Sequence, residues 1–169
     1  MSPIKIAQYI FIGILFLLFQ IYVVKYLIIY NFAVPFVFFL FLFMLPTSIP
    51  SSVEYVVGFF MGLIIDISGD TLGANASAVL FALAVKRQIV GTVTATVGFR
   101  DSGEINLSNQ NFVWYVTYLI SLIFAHHLVY FLLESFNMAN IAYTLFKIVV
   151  STLYSFIINY LVCITFYKK

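Results

Sequence analysis

From Ile6 to Val24 the chain runs for about 19 residues without a charged side chain, and comparable apolar runs recur along its length. A helix of about 20 such residues reaches across the hydrocarbon core of a bilayer. There every backbone N–H and C=O must find its partner within the protein, so only helices or a closed barrel can span it. Runs this long and continuous read as helices. Composition agrees: of 169 residues, 64% are hydrophobic, 20% aromatic and only 8% charged, against about 25% charged in a soluble domain. The length suits a single integral membrane domain over residues 1–169.

Six spans are expected, giving an all-α fold. They cover about Ile4–Val24, a short second span centred on "VPFVFFLFLFML" and starting between Asn31 and Pro35, then Ser52–Ser68, Thr71–Ile89, Phe112–Glu134 and Ala142–Phe166. The first run is longer than the roughly 7–15 residues of a signal-peptide core and no small-x-small site follows it, so it reads as a retained span. Pro35 suits the first turn of a helix, and Pro46 and Pro50 in "LPTSIPSS" mark a break. Lys and Arg collect on the cytoplasmic side of membranes. With the N-terminus inside, that side receives Lys5, Lys86, Arg87, Arg100, Lys168 and Lys169, and the outer side only Lys25 and Lys147. Both termini are therefore expected in the cytoplasm. The polar segment Gly91–Gln110 is expected as a cytoplasmic loop, more a connector than a docking site.

A net charge of +2 with scattered basic residues gives no reason to expect nucleic acid. The lone Cys163 sits in an apolar run and reads as a buried thiol. No nucleophile elbow, zinc-protease motif or pair of close carboxylates is present, so no enzyme is expected.

Two groups of polar residues interrupt the apolar runs. In "GFFMGLIIDISGDTLGANA", Gly58, Gly62 and Asp66 are spaced four apart and share one helical face. The glycines let another backbone come close, while Phe59, Phe60, Leu63 and Ile64 occupy the lipid side. Asp66 should therefore point into a helix–helix seam, since a carboxylate facing lipid costs at least about 2.5–3.5 kcal/mol. Gly69 suits the C′ position of this helix, and Thr71 can cap the next with its hydroxyl accepting a backbone N–H. Asp66 is open to two roles, a structural clasp on residues 71–75 or a partner-facing or ion-binding group. In the fifth span, His126, His127, Tyr130 and Glu134 fall on one broad face, with Lys147 placed to pair with Glu134. Adjacent histidines point about 100° apart, so no metal site is expected and interhelical hydrogen bonding is the commoner use.

The stretch around Asp66 resembles the MreD family of rod shape-determining membrane proteins. The match rests on a glycine-rich helix followed by an Asp-led, glycine-closed turn, at Gly58, Gly62, Asp66, Gly69, Leu72 and Gly73, and spans about 30 residues. "HHLVYFLLESF" in the fifth span is similar to a variant of the family in Bacteroidota. Many relatives carry a small or apolar residue where this chain has Asp70, and the 91–110 loop is longer than in many of them.

The resemblance implies a non-enzymatic component of the peptidoglycan elongation machinery in the bacterial cytoplasmic membrane, with no cofactor. It implies association with MreC, a single-span protein. Through MreC it implies links to the MreB filament, the RodA glycosyltransferase and a penicillin-binding transpeptidase. The implied fold is a compact helical bundle similar to the substrate-binding subunits of energy-coupling-factor vitamin transporters. On that reading the glycine face forms either the bundle core or a groove for the MreC helix. Two rival functions remain open. One is a ligand-binding transporter subunit, drawing on Asn31, Asn75, His126, His127 and Asn159. The other is a proton or ion path through Asp66, His127 and Glu134.

Overall fold

The computed structural model describes residues 3–29, 33–93, 105, 110–135 and 140–167. Among them the chain forms six α-helices and no strand: α1 (Pro3–Tyr22), α2 (Leu40–Met44), α3 (Ser51–Gly69), α4 (Ala74–Val93), α5 (Phe112–Ser135) and α6 (Ile141–Tyr167). A 3-10 turn, Val24–Leu27, follows α1. Helices α1, α3, α5 and α6 are long and apolar enough to cross a membrane. Helices α3, α4, α5 and α6 pack one on the next, while α1 leans more lightly on α2 and α3. Large apolar side chains such as Phe11, Phe60, Ile67 and Ile157 face outward. That pattern fits a multi-pass membrane protein, whose outer surface is solvated by lipid.

The second expected span is not a continuous helix. Residues 34–37 are irregular, a turn follows, and α2 is only five residues long. Pro35 lacks an N–H and holds the residue before it out of the helical region, so a helix cannot run through this point. This segment is nevertheless the centre of the molecule: Val37 to Phe43 are buried almost without exposure. Its carbonyls at Val34 and Phe43 meet His127 and Tyr118, about 13 Å apart along α5 at 1.5 Å per residue. Non-helical backbone at membrane depth is tolerated where protein encloses it, and here the other helices surround it.

The glycine face of α3 lies against α4. A Cβ built on Gly62 would stand 2.5 Å from Ala76 Cα and 2.7 Å from Ala76 N, backbone atoms that cannot step aside. At Gly58 the nearest atom is Leu83 Cδ1 at 2.7 Å, the tip of a side chain that can turn. The two glycines should therefore respond differently to alanine, although each gains about 1 kcal/mol of helix propensity. Gly62→Ala is expected to lower stability by about 1–3 kcal/mol and Gly58→Ala by less than about 1 kcal/mol. Unfolding midpoints of the purified variants in one detergent check the order; equal midpoints would contradict the close approach at Gly62.

Candidate functional site

Three polar centres lie within the apolar bundle, and each serves backbone groups that lipid could not. The first is at Asp66, which is 3% exposed. Its Oδ1 accepts the backbone N–H of Asn75 at 2.9 Å, the Asn75 side-chain amide at 3.1 Å and the Thr71 hydroxyl at 2.5 Å. Its Oδ2 accepts the N–H of Ala76 at 2.9 Å. Asn75 and Ala76 lie in the first turn of α4, whose leading N–H groups have no partner within the helix. Gly73, just before that helix, adopts φ +86 and has no side chain to cap it. Asp66 supplies from α3 the oxygen atoms that an N-cap side chain would normally provide, and its charge suits the positive end of the α4 dipole.

Two details of the turn differ from expectation. Gly69 is the last residue of α3, and Asp70 instead takes the left-handed cap position at φ 53, its N–H bonded to the Asp66 carbonyl. Asp and Asn tolerate this conformation better than most residues, so glycine is not required there. The Thr71 hydroxyl takes no backbone N–H of α4: it donates to Asp66 and accepts from the Asn75 side-chain amide at 3.2 Å, while the Thr71 carbonyl accepts the Ala74 N–H at 2.9 Å. Leu72, also left-handed at φ 44, projects fully exposed from the turn. The motif residues thus build a single joint. Glycines bring the two helices together, the carboxylate ties them, and the turn closes the hairpin. The glycine face belongs to the bundle core, and α4 already occupies the groove beside it.

The second centre surrounds the irregular segment. Ser151 Oγ accepts the N–H of Val34 at 3.0 Å, and Ser155 Oγ that of Phe36 at 3.1 Å. Gln20 accepts the N–H of Val37 at 2.7 Å and donates to the Pro35 carbonyl at 3.3 Å. Asn159 donates to the Phe36 carbonyl at 2.8 Å. His127 contacts the Val34 carbonyl and Ser155 through Nε2, and the Ile123 carbonyl through Nδ1. These side chains replace the ladder that a helix would have made for itself.

His126 does not join this network. Both its ring nitrogens lack a partner, and the ring is walled by Phe36, Phe38 and Phe39 and lies parallel to Tyr130. The broad face expected of the fifth span is therefore divided. His126 and Tyr130 sit among aromatics, His127 serves the irregular segment, and Glu134 pairs with Lys147 at 2.7 Å near the rim. Lys147 also lies over the Phe131 ring. Among the described residues Asp66, His127 and Glu134 share no hydrogen-bond partner, so no direct hydrogen-bonded chain links the three there. Among the described residues no three His, Cys, Asp or Glu side chains converge as metal ligands. Cys163 is buried, with its sulfur 2.9 Å from the Tyr115 hydroxyl.

The third centre, at the opposite end from Asp66, was not anticipated. Lys86 and Glu54, each with side chains 3% exposed, form an ion pair at 2.9 Å. Lys86 also donates to the carbonyls of Leu42 at 2.9 Å and Leu45 at 3.3 Å, closing the C-terminal end of α2. Arg87, half-exposed, approaches the other Glu54 oxygen at 3.6 Å. A carboxylate and an ammonium in facing apolar spans were the signal, though positive-inside counting assigns Lys86 to the membrane edge. The loop expected over 91–110 and Asn31 fall largely outside the described residues.

Compared with protein-family models, curated proteins and solved structures, the chain matches none.

Proposed function

We propose that the chain is a non-enzymatic, MreD-like scaffold of the cell-elongation complex. It would be a six-span protein of the bacterial cytoplasmic membrane that holds the transmembrane helix of MreC and, through it, supports sidewall peptidoglycan synthesis. The observation that carries this reading is the coherence of the joint at Asp66. The residues through which the chain resembles the family are those that meet, cap and turn within one hairpin. The second span is then the irregular segment with α2, and α4 is the fourth. The basic residues favour both termini in the cytoplasm, by five to two even with Lys86 set aside because it is neutralised by Glu54.

Because α4 covers the glycine face of α3, the MreC helix must use a different surface. The open apolar groove between α1 and α3, about 570 Å³, offers one. Ile10, Gly13 and Ile14 form one wall and Val57 and Met61 the other, with no charged residue in the lining. Gly13 lies at the groove floor, where a Cβ would stand 3.1 Å from the Phe41 ring, and the exposed Ile10 and Ile14 beside it are the side chains an incoming helix would meet. Two measurements test the proposal in the source bacterium. Depletion is expected to widen or round the cells, and tagged protein should retain MreC through purification. A cysteine at Ile14 should then crosslink to the MreC span, whereas one at Ile157 on α6 should not. Normal shape together with no retained MreC would overturn the scaffold reading; retention with crosslinks only at Ile157 would overturn the groove alone.

A further inference from the structure

At the Asp66 end of the bundle a cavity of about 180 Å³ opens between α1, the irregular segment, the α3–α4 turn and α5. Its polar lining comes from Gln20, Ser68, Thr71, Asn75 and Tyr130. Asn75 is 1% exposed, yet its Oδ1 has no hydrogen-bond partner. The amide cannot rotate to hide that oxygen. Its nitrogen is held by Asp66 and Thr71, and a flip would set oxygen against carboxylate. Ser68 donates its proton to the Ile65 carbonyl and Thr71 donates its own to Asp66 while accepting from Asn75, so both line the space as acceptors and Ser68 has the greater remaining capacity. The Tyr130 hydroxyl has no hydrogen-bond partner among the described residues, and the rings of Tyr130 and Phe36 form part of the wall. Among the described residues no Lys or Arg lines the cavity and none pairs with the Asp66 carboxylate, which stands directly behind Thr71 and Asn75.

A space edged by fixed acceptors and backed by an anion favours a cationic donor, and aliphatic residues with the Phe36 and Tyr130 rings make up the rest of its wall. We propose that this cavity binds a primary ammonium group, with Asn75 Oδ1 and the Ser68 and Tyr130 hydroxyl oxygens accepting its N–H hydrogen bonds. The volume of about 180 Å³ has room for a small polar head group. The same chemistry is available from a phosphatidylethanolamine head group or from a free small amine.

The test uses the full chain purified in detergent, with ethanolammonium chloride as probe and ethylene glycol and sodium chloride as controls. Ethanolammonium should raise the thermal midpoint saturably, by about 3 °C or more, while the controls should not. Asn75→Leu risks unfolding because it also breaks the Asp66 clasp. Tyr130→Phe and Ser68→Ala therefore carry the assignment, and each should remove at least half of the shift. Native mass spectrometry from mixed ethanolamine and glycerol phospholipids separates the sources. Selective retention of phosphatidylethanolamine, displaced by free ethanolammonium, identifies the lipid. A saturable shift without lipid retention identifies a soluble amine. The proposal is overturned if ethanolammonium gives no saturable shift, if ethylene glycol matches it, or if both variants keep the full response, since the cavity would then hold only solvent.

Discussion

Asp66→Leu is expected to lower stability by about 3–5 kcal/mol and to free the first turn of α4, because it strands two buried backbone N–H groups at once. Each such donor costs about 1–3 kcal/mol when its acceptor disappears and no water replaces it. The Thr71 hydroxyl and the Asn75 amide lose the same oxygen, although they can still bond to each other. Asp66→Asn separates charge from geometry. One oxygen survives to serve Asn75, but the new amide nitrogen faces the N–H of Ala76, which previously met Oδ2. About half of the leucine effect is expected from asparagine, with part of it due to the lost charge at the helix N-terminus. Unfolding in a graded denaturing detergent measures the energies, and hydrogen exchange at residues 74–77 locates the fraying. Unchanged exchange in Asp66→Leu would show that the clasp does not hold α4. On the scaffold reading, MreC retention should fall in proportion to stability, because the carboxylate acts through the joint and does not itself touch the partner.

How far the fold was legible differs from element to element, for physical reasons. The long spans announce themselves because lipid tolerates few polar side chains over about 20 residues, and α1, α3, α5 and α6 fall close to where the apolar runs lie. The inward turn of Asp66 was legible from its four-residue spacing with Gly58 and Gly62, since a lone carboxylate must share the face that packs. Which role Asp66 takes was not legible, because a cap and a partner site require the same burial.

The irregular segment was hidden for a different reason. "VPFVFFLFLFML" is apolar on every side, and such a run has no periodicity to distinguish helix from extended chain. Its clue lay elsewhere, in α6, where Ser151, Ser155 and Asn159 recur four apart as a polar stripe inside an apolar helix. A stripe of this kind implies backbone nearby that cannot satisfy itself. Gln20 on α1 completes it. His127 belongs with these residues and His126 does not, a division that sequence adjacency conceals because neighbours on a helix point about 100° apart.

The Glu54–Lys86 pair should show the strongest coupling in the molecule, because both charges lie where water does not reach. Lys86→Met leaves the Glu54 carboxylate facing only Arg87, at 3.6 Å and half-exposed, and removes the donor from the Leu42 and Leu45 carbonyls. Breaking one side of a buried pair typically costs about 3–5 kcal/mol, and this loss is expected here. Glu54→Gln should cost less, about 1–3 kcal/mol, since the neutral amide oxygen still accepts from Lys86 while the two carbonyls continue to solvate the ammonium. The double variant Glu54→Leu/Lys86→Met removes both charges but leaves the carbonyls bare. It should therefore be less destabilised than the sum of Glu54→Leu and Lys86→Met, by about 2 kcal/mol or more. Unfolding of the four proteins in one detergent gives the cycle directly. Additive losses would mean that each charge finds its solvation independently, and that the pair fixes neither α2 nor the N-terminal turn of α3. If the coupling is present, the end opposite Asp66 is held by charge as firmly as the Asp66 end is held by its cap. The α3–α4 hairpin is then pinned at both ends, with Gly58 and Gly62 closing the span between them.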